Sequence, residues 1–258
     1  MIIDVNAYLG HFAFRRLRHN TADSLLNLMD SKKIDRAVVS SASAITYRNP
    51  QSANEDLATD VESHRDRLIP FAVINPAYAG WQADLKICRY ELSMSGLRLY
   101  PKWHGYKLSD PNCLEMMQTA AEYGMVLSIP LRVEDHRQRS WLVDVPDLSL
   151  DEVSEAVKAC PMAKFMLLNG IGYAKSPLAR SDWSSNYVIE ISRLSALLDN
   201  EFGQLMRSVG SDRLVFGTGM PFSYPEPALL KLEVLQASAL DKEKIYSQNA
   251  AKWLLDKV

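Results

Sequence analysis

Eight short apolar runs recur along this chain, separated by stretches of helical periodicity or by polar loops. The first is Met1–Gly10 (MIIDVNAYLG). The others are AVVS at 37–40, LIPFAVI at 68–74, GLRLY at 96–100, VLSIPL at 126–131, KFMLL at 164–168, YVIEIS at 187–192 and LVFG at 214–217. Continuous apolar runs of this length suit strands buried on both faces, as in a parallel sheet covered by helices. Between them, Asn54–His64, Trp81–Leu92, Pro111–Tyr123, Asp151–Cys160, 197–209 and Pro227–Ser238 read as helices, and Thr21 or Asp23 caps another. A short amphipathic helix, Lys242–Leu255, ends the chain. Eight such alternations without a linker or composition break predict one (β/α)8 barrel over residues 1–258 with a C-terminal helix, an α/β fold that typically takes about 250 residues. The rival, a doubly wound open sheet, favours a glycine-rich phosphate fingerprint after an early strand, and none is present.

The charge balance removes two classes of partner. Twenty-nine basic against 31 acidic residues give a net charge of −2, so neither nucleic acid nor an anionic membrane is an expected partner. Cys88, Cys113 and Cys160 are odd in number, far apart and without C-x-x-C spacing, and read as buried free thiols in a reducing compartment. No apolar stretch reaches the roughly 18 residues of a membrane helix, and no signal peptide is legible. The expected location is cytoplasmic.

Within the first strand the alternation of side chains puts Asp4, Asn6 and Tyr8 on one face, with Ile3 and Val5 on the other. This strand resembles the opening of the amidohydrolase superfamily, in its amidohydrolase 2 branch, where it reads D-x-H-x-H and both His bind a metal. The resemblance continues in FAVINP (Phe71–Pro76), GLRLYPKWHGY (Gly96–Tyr106), DRLVFGTGMPF (Asp212–Phe222) and NAAKWL (Asn249–Leu254). It implies a barrel hydrolase, but the metal-ligand positions are substituted. Asn6 and Tyr8 stand where the His pair is expected, Pro130 at the strand-five ligand, Gly170 at the strand-six His and Gly219 at the strand-eight Asp. A catalytic zinc takes about three His, carboxylate or thiolate ligands. Gly and Pro offer none, so no metal and no other cofactor is expected.

Barrel active sites lie at the C-terminal ends of the strands. Candidates there are Asn6 and Tyr8, then Arg98, Tyr100, Lys102 and His104 around strand four, Arg132 and Asp135 after strand five, Asn169 after strand six, Glu190 on strand seven and Thr218 after strand eight. An imidazole titrates near neutrality, so His104 is the expected general acid or base; the alternative is an ordinary loop histidine. Asn6 and Tyr8 either hydrogen-bond substrate or fill a former metal cavity. Arg132, Asp135, His136 and Arg137 read as an ion-paired lid or as a solvated loop. Arg98 and Tyr100 face inward only if even-numbered residues of strand four do; the opposite phase sends Leu97 and Leu99 in. Glu190 is either a buried catalytic carboxylate or the partner of an arginine. Asp4 reads as structural. Arg15 and Arg16 follow strand one toward the mouth or the surface, and Trp141 and Trp183 line a lid or pack.

These residues lead to a metal-independent hydrolase or lyase acting on a small carboxylated or oxygen-rich substrate. Asn6 and Tyr8 would polarise a carbonyl, Arg132 or Arg98 would hold a carboxylate, and His104 would move the proton. The competing expectation is a barrel without catalysis, serving as a binding or scaffold protein, with a mouth plugged by Tyr8, Trp103 and the 132–148 loop. A homo-oligomer is expected by analogy with the resemblance alone.

Overall fold

The computed structural model describes residues 1–197 and 199–255. Eight parallel strands follow one another around a single sheet: β1 Ile3–Leu9, β2 Arg36–Ser41, β3 Leu68–Val73, β4 Gly96–Arg98, β5 Val126–Pro130, β6 Phe165–Leu168, β7 Tyr187–Glu190 and β8 Leu214–Val215. The helices are α1 Ala22–Ser31, α2 Gln51–Asp60, α3 Trp81–Tyr90, α4 Pro101–His104, α5 Pro111–Glu122, α6 Leu150–Ala159, α7 Glu201–Ser208, α8 Glu226–Val234, α9 Ala239–Glu243 and α10 Asn249–Leu254. The ring closes through the backbone of the segment after β8. Val5 N–H donates to Phe216 O (3.0 Å), Tyr8 N–H to Met220 O (2.9 Å) and Gly219 N–H to Asn6 O (2.8 Å). The chain is a TIM barrel with a C-terminal helix.

Local sequence sets the helix starts. Thr21 caps α1 by accepting from Ser24 N–H, and Ser149 with Glu152 forms a reciprocal capping box on α6. The segment PKWH, expected in a loop, forms the short α4, closed by Gly105 at φ +73°. The helix expected from Asn54 starts earlier, at Gln51, directly after Pro50. The one expected over 197–209 begins at Glu201, capped by Asn200; residue 198 lies outside the described residues.

Three apolar layers follow. The barrel interior holds Ile3, Val5, Val38, Ile69, Phe71, Val126, Met166, Leu168, Val188 and Val215, with Ala251, Trp253 and Leu254 of the C-terminal helix packed against them. A second layer joins strands to helices and contains Ala7, Leu9, Leu97 and Leu99. A third, at the mouth, contains Tyr8, Phe12, Val73, Tyr100, Val133 and Phe222.

β1 departs from simple alternation. Its register with β2 runs Asp4↔Ala37 and then Ala7↔Val39, so one extra residue is inserted. Such a bulge inverts the side-chain phase. Ile3 and Val5 therefore face the interior, whereas Ala7 and Leu9 face the helices and Tyr8 turns into the mouth. The single polar face expected for Asp4, Asn6 and Tyr8 is split.

Gly96 makes room for the Phe71 ring inside the barrel: a Cβ there would overlap that ring and meet Val126 O at 2.5 Å. Gly96→Ala should cost about 1–3 kcal/mol through overpacking, measured by urea unfolding.

Candidate active site

Arg98 is fully buried and points inward from β4. Its Nε donates to Ser128 Oγ (3.0 Å), its Nη1 to Ala7 O (3.0 Å) and Ser40 Oγ (3.0 Å), and its Nη2 to Val5 O (3.1 Å). The guanidinium also lies 4.8 Å from the centre of the Tyr8 ring. It thus ties β4 to β1, β2 and β5, and it satisfies both carbonyls that flank Asn6 in the bulge. Nearly every donor is committed to the protein, which leaves Arg98 little with which to clamp a substrate carboxylate.

Two buried carboxyls are fixed in the same way. Asp4 accepts from Asn6 N–H (2.8 Å), Thr218 N–H (3.1 Å) and Thr218 Oγ1 (2.5 Å), sealing β1 to the segment after β8. Burial pushes its pKa up to about 7, against the opposing pull of these hydrogen bonds. Glu190 accepts from Asn169 N–H (3.0 Å) and from Ser192 N–H and Oγ (2.5 and 2.9 Å). Burial raises its pKa as well. It makes no ion pair with an arginine; its partners are backbone and serine. Asn169 is occupied too, accepting from Asn6 Nδ2 (2.9 Å) and donating to Arg132 O (3.1 Å).

Above these groups the mouth is closed by aromatic rings. Phe222 meets Tyr8 and Phe12 edge-on, each with centroids 4.9 Å apart, and Phe12 meets Trp103 at 5.8 Å. Asn6, Tyr8, Arg98 and Glu190 are consequently shut off from solvent, and Tyr100 and Asn169 nearly so.

Beneath and beside this lid several buried polar atoms have no hydrogen-bond partner: Asn6 Oδ1, Tyr8 Oη, Tyr106 Oη, His104 Nδ1 and both oxygens of Glu134. His104 Nε2 lies 3.0 Å from Ala44 O. A carbonyl only accepts, so this nitrogen carries the proton and Nδ1 keeps its lone pair. Burial lowers the imidazole pKa, which favours that neutral form. The ring stands 6.1 Å from that of Tyr100, whose hydroxyl is 3.5 Å from Ser40 Oγ.

The 132–148 loop carries its own network. Asp147 pairs with Arg132 (2.5 Å), His136 (3.0 Å) and Arg139 (3.2 Å), and Asp135 with Arg137 (3.0 Å) and Arg193 (3.1 Å). These arginines hold the Asp135 carboxyl below the usual carboxylate range, the Arg137 hydrogen bonds foremost. Arg132 lies beside a cleft of about 280 Å³ that is also lined by Ser149, Asp151, Gly170 and Ile171, to one side of the barrel axis. Trp141 is 90% exposed and Trp183 packs on Tyr187.

The structure therefore brings Asn6, Tyr8, Tyr100 and Asn169 together around Arg98, places His104 on their rim and sets Arg132 and Asp135 in the flanking loop. Glu134, inside the RVEDHR run, emerges only in three dimensions, beside Arg15, for which the sequence left the mouth and the surface open. Arg15 donates to Gln138 Oε1 (2.7 Å) and Phe222 O (2.9 Å) and lies 3.7 Å from Glu134. A loop glutamate next to Val133 carries no sequence signal of burial.

No family model matches this chain, and no curated protein matches it in sequence. Solved structures do match its fold. A dihydroxybenzoic acid decarboxylase from a Polaromonas species, with bound manganese and the inhibitor 2-nitroresorcinol, is 17% identical with a TM-score of 0.72, covering 100% of this chain and 98% of its own. A 2,6-dihydroxybenzoate decarboxylase in complex with 2,6-dihydroxybenzoate is 15% identical with a TM-score of 0.70, covering 98% and 97%. A Staphylococcus aureus structure described as an amidohydrolase is 15% identical with a TM-score of 0.73, covering 98% and 99%.

The manganese of the first neighbour prompts a test of fit. Positions 6, 169 and 219 do converge: a Cβ at Gly219 would lie 3.5 Å from Asn169 Oδ1 and 3.7 Å from Asn6 Nδ2. The atoms they present are amides and backbone. A Cβ at Gly170 would overlap the Tyr173 phenol, so no ligand side chain has space there. Among the described residues no three His, Cys, Asp or Glu cluster closely enough to hold a metal ion. The residues present do not fit a divalent cation at the strand tips.

Two outcomes follow. Arg98→Leu strips its donors from the buried Val5 and Ala7 carbonyls and the Ser40 and Ser128 hydroxyls and should cost about 1–3 kcal/mol for each buried polar group left without a partner, read by urea unfolding. Asp4 gives a pH signature. The folded protein holds its proton up to about pH 7, against an ordinary value of 3.8, so it binds the more protons between those values. The contribution to stability is full below about pH 4 and is lost as the pH rises toward 7. Asp4→Asn, which can still accept both backbone N–H groups, should lack this decline; urea midpoints at acid and neutral pH compare the two.

Proposed function

We infer that the chain is a small-molecule hydrolase or lyase on an amidohydrolase-like barrel, acting without a bound metal on a small carboxylated or oxygen-rich substrate. One observation carries this reading: buried polar atoms without a hydrogen-bond partner, Asn6 Oδ1 and Tyr8 Oη beneath the aromatic lid and His104 Nδ1 on its rim. Buried polar groups are almost always hydrogen-bonded, and exceptions concentrate where a ligand supplies the partner. The fold neighbours that act on dihydroxybenzoates support an aromatic carboxylate as the substrate class.

In this reading Tyr8 donates to the substrate oxygen that gains negative charge, and Asn6 fixes its orientation. Asn169 holds the Asn6 amide in place. Neutral His104 moves the proton through Nδ1, its ring held by Ala44 O. Arg98 acts on the substrate through the positions of Asn6 and Tyr8 rather than by direct contact. Entry requires the Phe12–Trp103–Phe222 lid to part.

A second reading has its own support. Complete burial of Asn6, Tyr8 and Glu190 beneath a packed lid is what a sealed, non-catalytic barrel would show.

Turnover of a panel of hydroxybenzoates and aromatic lactones after exhaustive chelation separates the possibilities. We expect activity to survive chelation, His104→Asn to lower kcat by about 10²–10⁴-fold, and the acid limb of the pH profile to lie below the ordinary imidazole value of 6.5. Activity that vanishes on chelation and returns with manganese overturns the metal-free reading; no turnover of any substrate favours the sealed barrel.

A further inference from the structure

We propose that Arg15 is the group that recognises the carboxylate of an incoming ligand, and that Glu134 holds its place while the mouth is closed. This rests on the reading that the mouth admits a small carboxylate, and it assigns the anchor for that carboxylate to the loop after β1.

Arg15 is the one side chain seen to join three loops over the mouth. Its Nη2 donates to Phe222 O in the lid, its Nη1 to Gln138 in the loop after β5, and its guanidinium lies 5.5 Å from the centre of the Phe222 ring. The side chain is 26% exposed, so it faces solvent as well as the lid. Among the described residues its one carboxylate neighbour is badly placed. Glu134 lies 3.7 Å away, beyond hydrogen-bond reach, and its side chain is 1% exposed. Neither oxygen of Glu134 has any hydrogen-bond partner. A buried carboxylate that reaches an arginine without bonding to it is a weak occupant, because its desolvation is poorly offset.

A small carboxylate entering from solvent would do better. It can take two parallel N–H bonds from the guanidinium, a geometry Glu134 does not reach. Taking them releases Gln138 and the Phe222 carbonyl, the two contacts that link the loop after β8 to the loop after β5 through Arg15. Ligand capture and lid release are thereby one exchange of partners. The negative charge of Glu134 opposes the newcomer, so removing that charge without changing the shape should favour binding.

The test uses the full-length protein with salicylate as the probe and salicylamide as its uncharged control. Calorimetric titration gives affinity, and amide hydrogen exchange over residues 133–139 and 219–223 shows whether binding occurs at the mouth. We expect salicylate, and not salicylamide, to bind there. Glu134→Gln should tighten binding several-fold, Arg15→Gln should weaken it at least tenfold, and Arg15→Lys should fall between; thermal melts confirm that each variant is folded. Equal salicylate affinity in the wild type and Arg15→Gln, with the same exchange pattern at the mouth, overturns the assignment of Arg15 and leaves the proposed function standing. Absence of salicylate binding at the mouth in every variant, Glu134→Gln included, overturns both.

Discussion

The Arg98 guanidinium is the constraint on which the rest of the barrel depends. A lone cation in a barrel interior is expensive unless its donors are met. Here they are met by neutral oxygens on β1, β2 and β5, with the Tyr8 ring over one face. Two of those oxygens belong to the bulge in β1. The Val5 and Ala7 carbonyls flank Asn6 there, and Arg98 donates to both. The bulge also inverts the phase of the strand, which sends Tyr8 to the mouth and leaves Asn6 against Asn169. The arginine, the bulge and the placement of the polar rim are therefore one structural decision.

The carboxyls confirm how the interior is divided. Asp4 and Glu190 are buried, yet each is saturated by backbone and hydroxyl donors. They close seams between strands and have no free oxygen to offer. Among the atoms that remain uncommitted are Tyr8 Oη, His104 Nδ1 and both Glu134 oxygens, beside an Arg15 poorly matched to Glu134.

Much of this was legible in the order of residues. The eight apolar runs specify the barrel because parallel strands covered on both faces must be apolar throughout, and strand-to-helix alternation leaves few other closures. That positions 6, 8, 170 and 219 carry Asn, Tyr, Gly and Gly was visible by inspection. The phase of β4 was not: Arg98 and Leu97 compete for the interior, and only the acceptors supplied by distant strands decide in favour of the arginine. The bulge was hidden for the same reason, since an inserted residue leaves no mark in a pattern seven residues long. Glu134 and Arg15 lie in loops, where contacts are set by three-dimensional closure rather than by period.

The geometry around position 170 bears on whether the strand tips could hold a cation. Where the resemblance places a histidine, the chain has Gly170, and the Tyr173 phenol fills the space that a side chain would need. Gly219 sits at φ +76°, a conformation that an aspartate adopts only under strain. Asn6 spends its amide on Asn169, and Arg98 places a fixed positive charge beside the bulge. Restoring one ligand would therefore meet a clash at 170, an unfavourable backbone at 219 and an adjacent guanidinium. These features reinforce one another: each opposes a cation at the strand tips, where the buried polar groups are tied instead by hydrogen bonds.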